Sequence, residues 1–164
     1  MVIELESVFN TEGLKVPFDY ELSLSHVEVS GICPIQKPVR VNGSVGNKAG
    51  IVTLTGQASF LYEAPCDRCA EDVSREFTVE LEHILVRELN NDDNDDYTVV
   101  PNLRLELNDL VEEDVNLALP GKFLCKEDCK GLCHICGKNL NNEQCSCKEP
   151  MDPRWAALAQ LLDN

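Results

Sequence analysis

The chain has 164 residues and a formal net charge of −15 at pH 7, with 43% hydrophobic and 5% aromatic residues. This length allows a substantial buried core, and no apolar run approaches the roughly 20 residues that span a bilayer. The acidity excludes extensive contact with nucleic-acid phosphates along most of the chain.

Acidic residues are concentrated in the middle of the chain. From Glu63 to Asp114, 17 acidic residues occur with 4 basic ones, whereas the stretch from Gly121 to Arg154 has 6 basic and 5 acidic residues. A nucleic acid could therefore dock without strong repulsion only near the C-terminal stretch. The acidic middle is typical of a solvated face, or of a surface that meets a basic partner such as a ribosomal protein.

Strand patterns dominate the first half of the chain. Apolar residues alternate weakly over residues 2–9 and clearly from Val16 to Leu24, which predicts two strands. They alternate again over residues 39–45, 52–62 and 77–85, and the glycines within residues 46–50 predict a hairpin. Because the opposite faces are polar, we expect a half-buried antiparallel sheet. Cys33 is expected to be a small buried hydrophobe, and His83 to be structural.

A Cys-x-x-Cys motif, Cys66-Asp-Arg-Cys69, lies in the turn between the last two of these strands. Such a turn can bind a metal, carry out thiol exchange or present Arg68 to an anion. Metal binding needs two further donors, which Cys125 and Cys129 could provide to form a second site. Redox activity is less favoured, because an active motif of this kind usually opens a helix whose N-terminus lowers the thiol pKa.

An acidic, Asn-rich tract at residues 90–96 predicts a solvated loop. It resembles the start of a calcium-binding EF loop, but Tyr97 and Leu103 stand where that loop needs Gly and Glu, so calcium is rejected. Residues 97–100 predict a short strand. Apolar residues then recur at steps of three and four, which predicts an amphipathic helix over residues 105–119 that Pro120 ends.

Six of the nine cysteines lie within 23 residues, from Cys125 to Cys147. A disulfide framework would require export, yet the first residues, Met-Val-Ile-Glu-Leu-Glu, have neither the basic region nor the apolar core of a signal peptide. A redox centre usually has one isolated Cys-x-x-Cys. The stretch therefore predicts a metal site, and zinc, which takes four soft donors in a tetrahedron, fits it best.

The favoured ligands are Cys133, Cys136, Cys145 and Cys147. The first two form a knuckle, and a loop of eight residues separates them from the second close pair. Gly137 can take the positive φ that such a knuckle often requires. Cys125 and Cys129 are the reserve pair, because a four-residue step on a helical turn places two thiols on one face. Two alternatives stay open: a different quartet that includes Cys125 or Cys129, and a protein that binds no metal. An iron–sulfur cluster is a minor alternative, since the spacing matches no common ferredoxin pattern.

Asp152 and Pro153 predict the start of a last helix, with Trp155 in its apolar stripe. The predicted fold class is α+β, with an antiparallel β-sheet or partly open barrel covered by one or two helices and a C-terminal cysteine-rich zinc-knuckle segment. We expect the β-rich part, residues 1–120, and the cysteine-rich segment with the last helix, residues 121–164, to form one compact unit.

Four segments together resemble the YceD family, whose members are described as large ribosomal RNA subunit accumulation proteins. These segments are Cys66–Cys69, Val115–Pro120, Cys129–Cys147 and Asp152–Arg154. The resemblance implies a role in the accumulation of large-subunit (23S) ribosomal RNA, through ribosome assembly or protection of the precursor, without enzymatic activity. It also implies that a metal would stabilise the fold, and that the Cys66–Cys69 hairpin is the better candidate for the task shared by the family.

We therefore expect a cytoplasmic, non-catalytic factor that acts on no small molecule and no membrane. Its expected partner is large-subunit ribosomal RNA, or a ribosomal or assembly protein. The candidate contacts are the basic residues near the cysteines: Arg68, Lys130, Lys138 and Arg154. Two alternatives are a thiol-dependent redox protein that uses Cys66 and Cys69, and a zinc-stabilised adaptor that recruits a basic protein.

Overall fold

The computed structural model describes residues 1–88 and 97–147, which divide into two compact units. The first, here called the β-sheet unit, comprises Met1–Ala64 and Val73–Gly121. The second, here called the cysteine module, comprises Pro65–Asp72 and the residues from Lys122 onwards. The turn that joins two strands of the sheet therefore belongs to the same unit as the C-terminal cysteines.

Strands make up most of the chain's regular structure. In chain order the elements are β1 (Val2–Glu4), α1 (Glu6–Asn10), β2 (Lys15–Leu22), β3 (Val39–Lys48), β4 (Ile51–Pro65), β5 (Asp72–Val86), β6 (Tyr97–Val99), a 3-10 turn (Pro101–Leu103), β7 (Arg104–Glu106) and α2 (Leu107–Ala118). One sheet has the order β2-β3-β4-β5-β6, and β1 pairs with β7 in a second. The larger sheet curls into a half-barrel, which confirms the predicted fold class.

Alternation of apolar and polar residues explains the long strands. In β4 every second residue from Val52 to Ala64 is buried except Gly56, and the intervening face, which includes Thr53, Gln57 and Ser59, is at least partly exposed. β3 runs antiparallel to β2 and to β4, as predicted, whereas β6 joins the sheet parallel to β5. The core of the β-sheet unit consists mainly of aliphatic side chains from these strands, among them Val39, Val41, Val45, Val52, Leu54, Leu81 and Leu85.

The hairpin between β3 and β4 has a two-residue turn at Ala49 and Gly50. Both residues have positive φ, 53° and 82°, which is the conformation that fits the right-handed twist of the flanking strands. The Asn47 side chain supports the turn by accepting a hydrogen bond from the Gly50 N–H at 3.1 Å. The hairpin is therefore tighter than the five-residue signal over residues 46–50 suggested.

The prediction of a strand over residues 2–9 was wrong for the second half of that range. β1 ends at Glu4, and the chain turns into α1 two residues later. Leu5 and Val8 are both fully buried, and their spacing of three residues suits one face of a helix rather than of a strand.

Helix α2 occupies most of the range predicted for it. The prediction was residues 105–119, but the helix begins at Leu107 because Arg104–Glu106 pair with β1 as β7. Leu107, Val111 and Val115 form its fully buried face. Asp114 joins the helix to the sheet through a 2.7 Å contact with His83, whose other ring nitrogen lies 3.2 Å from the Thr98 hydroxyl. His83 thus has the structural role that was predicted.

Two predicted features lie outside the described residues. They are the acidic loop at residues 90–96 and the last helix, which was predicted to begin at Asp152 and to include Trp155. Within the part of the chain that the structure describes, neither helix has the length and apolar composition needed to cross a bilayer.

Candidate metal centres

The Cys66–Cys69 motif lies in a tight turn between β4 and β5. The Ala70 N–H donates to the Cys66 carbonyl at 2.9 Å, and the Cys66 N–H donates to the Glu71 carbonyl at 2.8 Å. These bonds close the turn, and both sulfur-bearing side chains are buried, with residue exposures of 3% and 4%. The turn therefore directs two thiols into the cysteine module.

Two cysteines from the C-terminal segment complete a first group of four sulfurs. The Sγ atoms of Cys66 and Cys129 are 3.8 Å apart, and those of Cys69 and Cys125 are 3.6 Å apart. Two hydrogen bonds hold the segments together: the Asp67 N–H donates to the Phe123 carbonyl, and the Phe123 N–H donates to the Asp67 carboxylate. The resulting group, here called the hairpin quartet, consists of Cys66, Cys69, Cys125 and Cys129.

The four cysteines favoured by the sequence form a second group, here called the knuckle quartet. Cys145 Sγ lies 3.4 Å from the sulfurs of both Cys133 and Cys136, and Cys147 completes the set. The knuckle turn is closed by the Gly137 N–H, which donates to the Cys133 carbonyl at 2.8 Å, and Gly137 has the predicted positive φ of 72°. Cys133 is buried, whereas Cys136 and Cys147 are exposed.

Both quartets have the donor chemistry and spacing of a tetrahedral zinc site. Within each quartet the four sulfurs lie within 4.8 Å of one another. Zinc–sulfur bonds of about 2.3 Å place tetrahedral sulfurs about 3.8 Å apart, whereas a disulfide would bring two of them to about 2.05 Å. Thiolate ligands favour zinc over magnesium or calcium, which take oxygen donors. Either quartet could therefore hold a metal ion.

Each quartet contains at least one thiol that ionises readily. Burial opposes ionisation of Cys66, but backbone N–H groups, first that of Cys125, outweigh it and lower the pKa of the Cys66 thiol to about 6. In the knuckle, the backbone N–H groups of Cys136 and Ile135 lower the pKa of Cys133 to about 6. In both quartets, backbone N–H dipoles therefore point at a sulfur and stabilise it as the thiolate, which is the form that binds metal.

Each quartet also contains a thiol that resists ionisation. A backbone hydrogen bond from Glu71 favours the Cys69 thiolate, but burial and the neighbouring sulfurs outweigh it and raise the pKa of Cys69 to about 12. The sulfurs of Cys145 and Cys136 raise the pKa of Cys147 to about 12. Four thiolates at this spacing repel one another, so full ionisation of either quartet needs a cation.

Comparison with known proteins places the chain in a family. The profile described as "Large ribosomal RNA subunit accumulation protein YceD" matches residues 54–162, which include all eight cysteines of the two quartets. The chain belongs to the YceD family. No solved structure matches it.

Relatives of this YceD-family chain occur in mycobacteria. Uncharacterized proteins of Mycobacterium bovis and Mycobacterium tuberculosis are each 30% identical to it over 115 residues, which cover 68% of this chain and 56% of the relative. An uncharacterized protein of Mycobacterium leprae is 34% identical over 58 residues, or 35% of this chain and 27% of the relative. The match thus spans little more than half the length of the first two relatives.

The cysteine module of this YceD-family chain has little apolar material of its own. Within its described residues, the buried apolar side chains are Phe123 and four cysteines: Cys66, Cys69, Cys129 and Cys133. Burial of one Phe contributes about 1.5–3 kcal/mol. A structural zinc contributes about 10–16 kcal/mol in small domains. A zinc ion held by either quartet would therefore stabilise this unit more than burial of Phe123 does.

Two polar side chains connect the two quartets. They were not predicted from the sequence. The Asn141 side chain donates to Cys129 Sγ at 3.3 Å and accepts from the Lys130 N–H at 2.9 Å. Asn139 donates to the Glu71 carboxylate at 2.9 Å, beside Cys69. Both asparagines lie in the loop between Cys136 and Cys145, so one loop serves both quartets. The only signal in the sequence was the Asn-rich composition of that loop.

The predicted contact residues have different surroundings. Arg68 donates to the Cys129 carbonyl at 2.7 Å, so its guanidinium supports the hairpin quartet. Lys138 is exposed and forms a 3.0 Å ion pair with Glu143, which raises the pKa of Lys138. Lys130 is exposed. Arg154 lies outside the described residues.

Proposed function

We propose that this chain is a cytoplasmic, non-catalytic factor that supports the accumulation of large-subunit (23S) ribosomal RNA and ribosome assembly, with zinc in a structural role. The observation that carries the proposal is the family match over residues 54–162, which spans both quartets. The partner would be the large-subunit RNA, or a ribosomal or assembly protein.

Burial of the hairpin quartet supports a non-catalytic role over thiol redox chemistry. A reactive cysteine needs access to its substrate, whereas Cys66 and Cys69 are 3% and 4% exposed and face two further sulfurs. Their turn also joins two strands rather than opening a helix. A four-cysteine group of this kind favours a closed structural site.

The segment over residues 130–138, which joins the two quartets and includes the knuckle turn, is the best candidate for the contact surface. It exposes Lys130 and Lys138 together with the apolar side chains of Leu132 and Ile135, which are 42% and 46% exposed. Few phosphates can be neutralised here, so any direct RNA affinity should be modest and only weakly salt-dependent. Apolar side chains among the cations fit an assembly complex in which RNA and protein are contacted together.

The test is complementation of cells depleted of this protein with the charge-reversal variant Lys130→Glu/Lys138→Glu. We expect a lower ratio of 23S to 16S ribosomal RNA and reduced recovery of ribosomal material after crosslinking. The matched control is Lys15→Glu/Lys48→Glu, which reverses two exposed lysines of the β-sheet unit. An unchanged RNA ratio in cells lacking the protein altogether would refute the proposed function.

A second candidate, an adaptor that recruits a basic protein, is favoured by the exposed face of α2. Asp109, Glu112, Glu113 and Asn116 line a shallow cavity of about 440 Å³ beside Leu117, which is 80% exposed. An exposed leucine amid carboxylates suits a basic, partly apolar partner. If this candidate is right, Asp109→Lys/Glu113→Lys should abolish recovery of a partner protein, and RNase treatment should leave that recovery unchanged.

A further inference from the structure

We infer that the hairpin quartet is a zinc site in its own right, so that the chain binds two zinc ions. The second ion joins the turn between β4 and β5 to the C-terminal segment. This inference goes beyond the ribosomal role and does not depend on it, because it concerns the isolated protein.

The two quartets are separate sets of ligands. Each contains four cysteines, and no cysteine belongs to both. Four thiolates complete a tetrahedral coordination shell and leave no open position, as structural zinc sites require. The arrangement therefore fits two mononuclear sites rather than one cluster with bridging sulfurs.

Burial makes the hairpin quartet the more enclosed of the two sites. Cys66, Cys69 and Cys129 are 2–4% exposed, whereas Cys136 and Cys147 of the knuckle quartet are exposed. Four thiolates, the form that binds metal, are unfavourable in a buried position unless a cation neutralises them. The enclosed group is thus the one whose geometry most needs an ion.

Neighbouring polar groups hold the ligands of the hairpin quartet in place. Asn141 donates to Cys129 Sγ, and Arg68 donates to the carbonyl of the same residue. The Leu132 N–H donates to the Arg68 carbonyl at 3.0 Å, which fixes the chain between the quartets against the turn. Groups around the ligands that fix their orientation are typical of built metal sites.

The proposed ion joins parts of the chain that are far apart in sequence. Cys69 and Cys125 are separated by 56 residues, and the ion would bridge that separation. Loss of the ion should therefore release residues 65–72 from the C-terminal segment without disturbing the local turn at Cys133–Gly137.

Native mass spectrometry of the reduced full-length chain tests the inference. We expect two zinc ions in the wild-type protein, one in Cys66→Ser/Cys129→Ser, one in Cys136→Ser/Cys147→Ser and two in the control Cys33→Ser, whose residue belongs to neither quartet. A wild-type stoichiometry of one, or two ions retained in Cys66→Ser/Cys129→Ser, would overturn it.

Cobalt binding provides a second test in case Cys66→Ser/Cys129→Ser fails to fold. In Cys136→Ser/Cys147→Ser the hairpin quartet is intact, and we expect one cobalt ion with the absorption of a tetrahedral four-thiolate site. The wild-type protein should saturate at two equivalents. Saturation of the wild type at one equivalent would contradict the second site even if the RNA phenotype supported the ribosomal role.

Discussion

At the residue scale, Asn141 is not a candidate metal ligand itself, but its side chain contacts one. Its amide donates to Cys129 Sγ at 3.3 Å and lowers the pKa of that thiol. A donor beside a thiolate both orients the sulfur and reduces its charge repulsion with neighbouring sulfurs. Asn141 therefore acts as a positioning residue for the hairpin quartet.

Asn141→Leu should weaken zinc binding at the hairpin quartet by about 10–100-fold, because the substitution keeps the side-chain size but removes the donor. The measurement is competition with a chromophoric chelator in the Cys136→Ser/Cys147→Ser background, where only the hairpin quartet remains complete. The matched control is Asn142→Leu, whose amide donates to Glu71 rather than to a sulfur. Equal zinc affinities for the two variants would contradict the assigned role.

Tyr20 of β2 is a residue whose hydroxyl destabilises the fold. The hydroxyl oxygen is buried and, among the residues that the structure describes, has no hydrogen-bond partner. Burial raises the pKa of Tyr20 from its usual value of 10.0 to about 12. A buried polar atom without a partner keeps its desolvation cost uncompensated.

Tyr20→Phe should therefore increase the free energy of unfolding by about 1 kcal/mol near neutral pH. Between pH 10 and 12 the unfolded wild type releases the Tyr20 proton while the folded state keeps it, so wild-type stability falls as the pH rises. The variant should lose less stability over that interval. Urea unfolding at pH 7 and pH 11 measures both effects, with Tyr97→Phe, an exposed tyrosine, as the control. A less stable Tyr20→Phe protein would show that the hydroxyl is satisfied.

At the scale of elements, the sheet depends on close approach between β3 and β4. Gly43 of β3 lies opposite Gly56 of β4 and opposite Phe18 of β2. A methyl group on Gly43 would collide with the Thr55 carbonyl and lie 2.6 Å from Gly56 Cα and 2.7 Å from the Phe18 ring. Two glycines therefore make room for the aromatic ring across three strands.

Gly43→Ala should destabilise the β-sheet unit by about 1–3 kcal/mol, because well-packed strands cannot accommodate the added methyl group without shifting. Gly46→Ala in the same strand is the control, since its added carbon would meet no atom closer than 3.7 Å. We expect the control to change stability by less than about 0.5 kcal/mol. Thermal unfolding of both variants makes the comparison, and equal melting temperatures would contradict this account of the packing.

Sequence patterns predicted the elements that alternate over many residues. β4 and its buried face could be predicted because its 15 residues repeat the two-residue period several times. The three-residue β7 was missed, and β1 was predicted too long, because such short strands are defined by their pairing partner rather than by their own pattern. The parallel pairing of β6 with β5 is also set by tertiary contacts.

Among the cysteines, too, the sequence shows local spacing but not which distant segments come together. The knuckle quartet follows from local spacing, since all four of its members lie within 15 residues. The hairpin quartet combines two pairs separated by more than 50 residues, so sequence could offer it only as one alternative. The supporting role of Asn141 depends on how the loop folds back, which no spacing rule describes.

At the scale of the whole molecule, the two compact units should differ in their dependence on metal. The β-sheet unit has a core of aliphatic side chains from β3 to β5, α1 and α2. The described part of the cysteine module has one large buried apolar residue, Phe123. We therefore expect zinc removal to unfold the cysteine module and to leave the sheet folded.

Hydrogen exchange with and without a strong zinc chelator tests this claim most directly. With zinc, the backbone N–H groups of Asp67, Leu132 and Cys133 should be protected, because each donates to a carbonyl within the cysteine module. In chelator, we expect these amides to exchange freely while the amides of β3 keep their protection. Unchanged protection of the module in metal-free protein, or simultaneous loss of protection in β3, would contradict the claim that sulfur-bound metal holds this unit together.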